Sequence, residues 1–183
     1  MDVKTYLQAL SALYANVNQT FALNNGLSNS ALDEAEKHLG FTLAPPLREL
    51  WGFANGGNEW STVFARKDYF CRYDFLSLAS SLKYRDRMKK QAQHYVNYHE
   101  PEVRDLKIQS GWYQEGWLPF AQFGGGTLLL IADHSPSALG QIGQVIAYTH
   151  DPDMMDFICP NLSQFFEQSL AQIRLYPDEL LED

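Results

Sequence analysis

The chain has 183 residues, 45% of them hydrophobic and 20% charged, with a formal net charge of −8. This length and balance fit one soluble domain and exclude a disordered chain, a collagen-like repeat and a helical membrane protein. The apolar run Leu128-Leu129-Leu130-Ile131-Ala132 is far short of the roughly 20 residues a membrane helix needs. Charge is unevenly placed. Met1 to Ile108 holds 13 basic and 12 acidic residues, whereas Gln109 to Asp183 holds one basic residue, Arg174, against 10 acidic. An acidic second half repels nucleic acid and suits a basic partner.

Taken in chain order, the first element is an amphipathic helix capped by Asp2. Val3, Tyr6, Leu7, Leu10, Leu13, Tyr14 and Val17 fall on one face at three- and four-residue steps. Residues 1–24 read as a helical extension ahead of the main domain. The turn-rich stretch Asn24-Asn25-Gly26 ends it. A second helix starts from Ser28 or Ser30 and closes at Gly40, and a third starts at Pro45 or Pro46 and stops at Asn55-Gly56-Gly57. Thr62 to Phe64 and Tyr69 to Tyr73 read as short strands joined by a charged turn. Leu78 to Tyr98 reads as a longer helix carrying Lys83, Arg85, Arg87, Lys89 and Lys90, within an insert spanning 66–110. Four strands are expected next, at Lys107–Tyr113, Trp117–Phe123, Thr127–Ala132 and Gln144–Tyr148, with glycines between them as hairpin turns require. A last helix begins at Asn161 or Ser163, and 177–183 reads as an acidic, frayed tail. Helices first, strands later and a closing helix give an α+β class: a single domain with a mainly antiparallel sheet flanked by N-terminal helices and a C-terminal helix.

No catalytic constellation emerges. Gly124-Gly125-Gly126 is followed by strand sequence rather than by a helix, so it reads as a turn and not a phosphate loop. Asp151-Pro152-Asp153-Met154-Met155-Asp156 lacks the sixth-position glycine and twelfth-position acid of a calcium loop. Asp133, His134 and His150 form a candidate metal trio only if strand ends bring them together. Their other reading is as solvated loop residues. Cys71 and Cys159, the two cysteines, lack metal-binding spacing and read as reduced, buried packing residues, although Arg72 beside Cys71 leaves an activated thiol as the alternative. The basic run Lys83–Lys90 reads as a solvated helix face, with phosphate binding as the alternative. Met1 to Tyr6 lacks the layout of a signal peptide, so a cytoplasmic location is expected, as is a non-enzymatic protein without cofactor or metal.

The order of the short motifs resembles a known family. Leu32-x-x-Ala35-Glu36-x-x-Leu39-Gly40-Phe41-x-Leu43-x-Pro45, followed by Leu47-x-x-Leu50-Trp51-x-x-x-Asn55-Gly56-Gly57, resembles the signature of the SUKH superfamily. Trp117-Leu118-Pro119-Phe120-Ala121 with Phe123 to Gly126, then Asp133, Gly143 to Ile146 and Leu162-x-x-Phe165-Phe166, are similar to its later landmarks. Two departures stand out: Ala44 separates Leu43 from Pro45, and the 66–110 insert is long. The landmarks are helix caps, helix starts and strand edges, so the resemblance carries no catalytic residue across.

The resemblance implies a bacterial immunity protein that neutralises a cognate toxin, many such toxins being nucleases. The alternative it implies is a regulatory or scaffolding module like the yeast cell-wall assembly regulator. The expected partner is a protein, a basic toxin domain, rather than nucleic acid or a membrane. Its expected contacts are the acidic loop residues Glu115, Asp133, Asp151, Asp153 and Asp156, with Trp60 and Trp112 as aromatic anchors.

Overall fold

The computed structural model describes residues 1–58, 61–67 and 69–181. Helix α1 (Val3–Asn16) starts where the Asp2 carboxylate accepts the Thr5 N–H, and α2 (Asn29–Leu39) where the Ser28 hydroxyl accepts the Ala31 N–H. Gly40 closes α2 in the left-handed region, at φ 79°. Helix α3 (Pro45–Phe53) starts on its prolines. Two short strands, β1 (Leu23–Asn25) and β2 (Ala54–Gly57), pair into a small antiparallel sheet.

The main sheet is an antiparallel meander in strict chain order: β3 (Phe64–Arg66), β4 (Tyr69–Phe75), β5 (Trp117–Phe123), β6 (Leu128–Asp133), β7 (Gln144–Thr149) and β8 (Met154–Cys159). Helix α4 (Leu78–Gln91) crosses from β4 to the long loop before β5. Helices α5 (Leu162–Leu175) and α6 (Pro177–Leu181) close the chain. The sheet curls so far that Arg66 on one edge strand pairs with Asp156 on the other at 2.6 Å.

Both faces of the sheet are covered, which accounts for the uninterrupted apolar run in β6. Leu128, Leu130 and Ala132 join one core, with α1, α3 and α5, while Leu129 and Ile131 join a second core with Met88, Ile108, Trp117, Ile146 and Met155. Alternate residues of a strand point to opposite faces, so burial on both sides removes the polar half of the usual pattern. The 66–110 region thus supplies, in α4 and the loop after it, the lid of the second core.

Helix α1 is built into the first core. Tyr6 is fully buried, stacks on Phe166 at 4.8 Å, donates to the Val63 carbonyl at 2.6 Å and shares a hydrogen bond with Ser169. Residues 177–181 of the expected tail are packed as well: Leu180 and Leu181 are buried, and the Leu180 carbonyl accepts the Thr62 hydroxyl. The acidic residues of that segment mask two apolar anchors that a charge count does not see.

Three further expectations need correction. Lys107–Tyr113 is a loop, not a strand, because its carbonyls are satisfied locally: the Arg104 guanidinium donates to the Gln109 and Gly111 carbonyls, and Gly111 sits at positive φ. The helix expected to reach Tyr98 ends at Gln91 and continues as a 3-10 turn over Ala92–Tyr95. Met154–Cys159, to which the sequence reading assigned no strand, is the edge strand β8, whose Met155 N–H is capped by the Glu100 carboxylate at 3.0 Å. Covering an edge in this way blocks unwanted strand pairing.

Candidate partner-binding surface

The expected acidic face does not assemble. Asp133 is fully buried at the end of β6, where it accepts the Ser135 N–H and the Gln144 side-chain amide, each at 2.9 Å. Burial pushes its carboxyl up to about 6. It is a structural pin between β6 and β7 and cannot touch a partner. Glu115 is exposed but bound to the α4 cations, Arg85 and Lys89, each at 2.7 Å. The Lys89 ammonium and the Tyr113 hydroxyl hold it down at about 2. Asp156 is spent on the Arg66 pair that joins the sheet edges. Asp151 alone stands exposed with no ion pair among the described residues, at the β7–β8 turn with φ 62°. Trp60 lies outside the described residues.

The metal trio does not assemble either. Asp133 faces Gln144, the first residue of β7, whereas His150 follows Thr149, the last. A strand of this length separates them by roughly 17–20 Å. Among the described residues no group of three or more His, Cys, Asp or Glu side chains is placed to hold a metal ion. The thiols of Cys71 and Cys159 are buried, and burial pushes each up to about 12, which removes the activated-thiol alternative for Cys71. Among the described residues no helix is long and apolar enough to cross a membrane.

His134 is a second structural pin. Its Nε2 accepts the Ala44 N–H at 3.0 Å, which ties the start of α3 to the sheet, and its Nδ1 faces the Gly116 and Ala132 carbonyls. Burial lowers its pKa, and protonating Nε2 would remove the acceptor that Ala44 needs. An imidazole depressed in the fold takes up its proton first in the unfolded chain, so this residue subtracts stability as pH falls below about 6.5. Neighbouring Asp133 acts oppositely, since a raised carboxyl is relieved of its burial cost as pH falls through about 6. A His134→Gln variant keeps a side-chain acceptor and loses the titration. Its urea midpoint, relative to the parent chain, should therefore be higher at pH 5 than at pH 7. Parallel shifts at the two pH values would contradict this role.

What the fold does bring together is an aromatic cluster on the outer face. Trp112 stacks on Tyr95 at 4.3 Å and meets Tyr98 and Tyr148 edge-on at 5.5 and 6.2 Å. The Arg104 guanidinium, paired with Glu100, lies over the Trp112 ring at 5.1 Å. The cluster is fastened from beneath by Asp153, whose Oδ1 accepts the Tyr148 hydroxyl at 2.5 Å and the Tyr95 hydroxyl at 3.1 Å and faces His150 Nδ1 at 2.8 Å. Partial burial opposes the charge on Asp153, yet these donors hold its carboxyl below the ordinary value. Burial and the hydrogen bond to Asp153 raise the Tyr148 phenol in turn.

Trp112, Tyr95 and Tyr148 are half-buried, while Val96 and Tyr98 beside them are 79% and 38% exposed. Of the expected contacts, the structure therefore unites Trp112 with Asp153 and, on the same turn, Asp151. It leaves Glu115 and Asp156 elsewhere. The tyrosines were missed because they sit in two segments, each distant in sequence from Trp112. The signal within reach was the aromatic density of His94-Tyr95-Val96-Asn97-Tyr98 just past a helix end.

No curated protein matches the chain closely enough to be called a relative. A family model matches residues 26–168 of the 183, a span that includes the Leu39-Gly40 cap, the proline start of α3 and the β5–β8 meander. The chain belongs to the SMI1 / KNR4 family (SUKH-1), a family of protein-interaction domains.

Proposed function

We propose that this domain is an immunity protein, which binds a cognate toxin and neutralises it by occupancy rather than by catalysis. The observation that carries the reading is the outer-face cluster of Tyr95, Tyr98, Trp112 and Tyr148, in which Asp153 fastens the Tyr95 and Tyr148 hydroxyls and aromatic surface is left open to solvent. Binding energy at protein interfaces concentrates in a few such aromatic anchors, and anchors already fixed in place lose little entropy on docking. Family membership supplies the class of partner, a protein. The expectation of a basic partner rested on an acidic face, and that face reduces to Asp151.

Co-expression with the toxin domain encoded by the neighbouring reading frame tests the proposal. The wild-type chain should restore growth and co-purify with the toxin. The Tyr98→Ala/Trp112→Ala double variant should bind at least tenfold more weakly, on the scale of one hot-spot residue. A folded double variant that protects and binds as well as the parent would overturn this surface. A stable complex that leaves the toxin active would favour the regulatory alternative.

A further inference from the structure

The aromatic cluster borders a strip of charge that nothing described so far uses. Helix α4 presents two parallel rows. Lys83, Arg87 and Lys90 follow i, i+4, i+7 spacing and are all exposed. One residue round the helix, Tyr84, Met88 and Gln91 follow the same spacing and line a shallow hollow with Tyr95, Trp112 and Tyr148. Such spacing stacks side chains along one helix face, so the three cations, with the exposed Asp86 beside Arg87, run next to the hollow, and Arg87 stands on its rim. Arg85 and Lys89 are neutralised by Glu115, but Lys83, Arg87 and Lys90 make no ion pair among the described residues. The Arg87 guanidinium donates to the Gly125 carbonyl at 3.0 Å, which holds its charge at the rim of the hollow.

We infer that this α4 face docks an acidic segment of the partner protein, its carboxylates along Lys83, Arg87 and Lys90 and one apolar side chain laid over the shallow aromatic hollow. The inference rests on the partner-binding reading above and names the chemistry of the partner's contact. Charge complementarity decides the occupant. The chain carries −8 overall, and fields between exposed charges are screened beyond about 8–10 Å at physiological salt. A short acidic segment therefore feels the local cationic row and little of the rest. A long nucleic acid would run off the row onto the acidic remainder of the molecule, and its affinity depends on the number of phosphates neutralised. A protein segment is the better fit, and nucleic acid is an outcome of the test.

The test uses the full chain and a Lys83→Glu/Arg87→Glu/Lys90→Glu variant. A Lys4→Glu/Lys37→Glu/Lys67→Glu variant serves as a control of equal charge at exposed positions elsewhere. Thermal unfolding of the α4 variant should stay within a few degrees of the parent, because all three side chains are exposed and the one hydrogen bond lost, from Arg87 to the Gly125 carbonyl, is exposed too. Against the toxin domain from the neighbouring frame, the α4 variant should lose about a hundredfold in affinity, mostly in association rate, and the parent's association rate should fall with salt. The control should stay within about threefold. Equal losses in the two variants, or none in the α4 variant, would overturn the inference while leaving the immunity reading intact.

If that toxin domain does not bind the parent at all, the immunity reading falls and a second probe decides the surface. A twelve-residue Asp/Glu peptide with one central leucine is titrated into the labelled chain and followed by amide and indole NMR shifts. Shifts confined to Lys83–Gln91, Tyr95 and the Trp112 indole, weakened when the leucine is replaced by serine, would uphold the inference. No localised shift at millimolar peptide, or tighter binding of a twelve-nucleotide oligo-thymidine at the same residues, would overturn it.

Discussion

A chain trimmed to residues 26–168, the span that matches the family model, is expected not to fold. The trimming removes Val3, Tyr6, Leu10 and Tyr14 of α1 at one end and Leu170, Ile173, Leu180 and Leu181 at the other, all buried in the first core. Fully burying one large apolar side chain is worth about 1.5–3 kcal/mol. Eight of them outweigh the roughly 5–15 kcal/mol by which a whole domain is stable. Polar anchors go too, since the lost Ser169 hydroxyl accepts the Ala65 N–H at 2.9 Å and bonds the Tyr6 hydroxyl. Circular dichroism and one-dimensional NMR of the trimmed chain should show no cooperative transition and little amide dispersion. A trimmed chain that melts cooperatively near the full-length midpoint would mean that α1 and the C-terminal helices are accessory. The Tyr6→Ala variant of the full chain gives the graded version, a loss of about 3–5 kcal/mol on the scale of other large-to-small core changes.

The second large effect is expected at Gly56, and the contrast with Gly40 makes it specific. Both glycines sit at positive φ, 85° and 79°, and both read from the sequence as helix stops. Only Gly40 is one. Helix α3 already ends at Phe53, and Gly56 lies within β2, where a Cβ would come within 2.7 Å of the Ser77 backbone nitrogen. The close approach serves α4: Asn55 Oδ1 accepts the Leu78 N–H at 2.9 Å beside the Ser77 cap. At Gly40 a Cβ would meet nothing within 4 Å. Gly40→Ala should therefore cost only the left-handed backbone, about 1–2 kcal/mol. Gly56→Ala adds a clash with backbone that cannot swing away, for a total of roughly 3–5 kcal/mol. Urea unfolding of the two variants side by side checks this, and equal losses would mean that β2 can retreat from Ser77 at little cost.

These cases show how far local rules reach. Asp2, Ser28, Gly40, Pro45 and Asn161 each act where capping chemistry places them, because a cap is a bond between a side chain and backbone a few residues away. The Leu128 to Ala132 run was readable as a strand for the same local reason. Asn55-Gly56 was misread because its partner, the start of α4, lies more than twenty residues on and only the fold brings it near. Strand β8 was hidden because its pattern matters only once β7 is beside it and Glu100 covers its outer edge.

The site divides along the same line. Element order was enough to give the α+β class and motif order the family resemblance, since both depend on spacing along the chain, and the resemblance implied a protein as the kind of partner. Whether a charged side chain is free to meet a partner depends on what lies across from it, and sequence spacing carries no such information. Asp133, Glu115 and Asp156 looked alike as loop carboxylates, yet the tertiary structure buried the first and paired the others with Arg85, Lys89 and Arg66. It left exposed instead a basic row on α4 beside Trp112, because only the packing of α4 on the outer face sets Tyr84, Tyr95 and Tyr148 around one hollow.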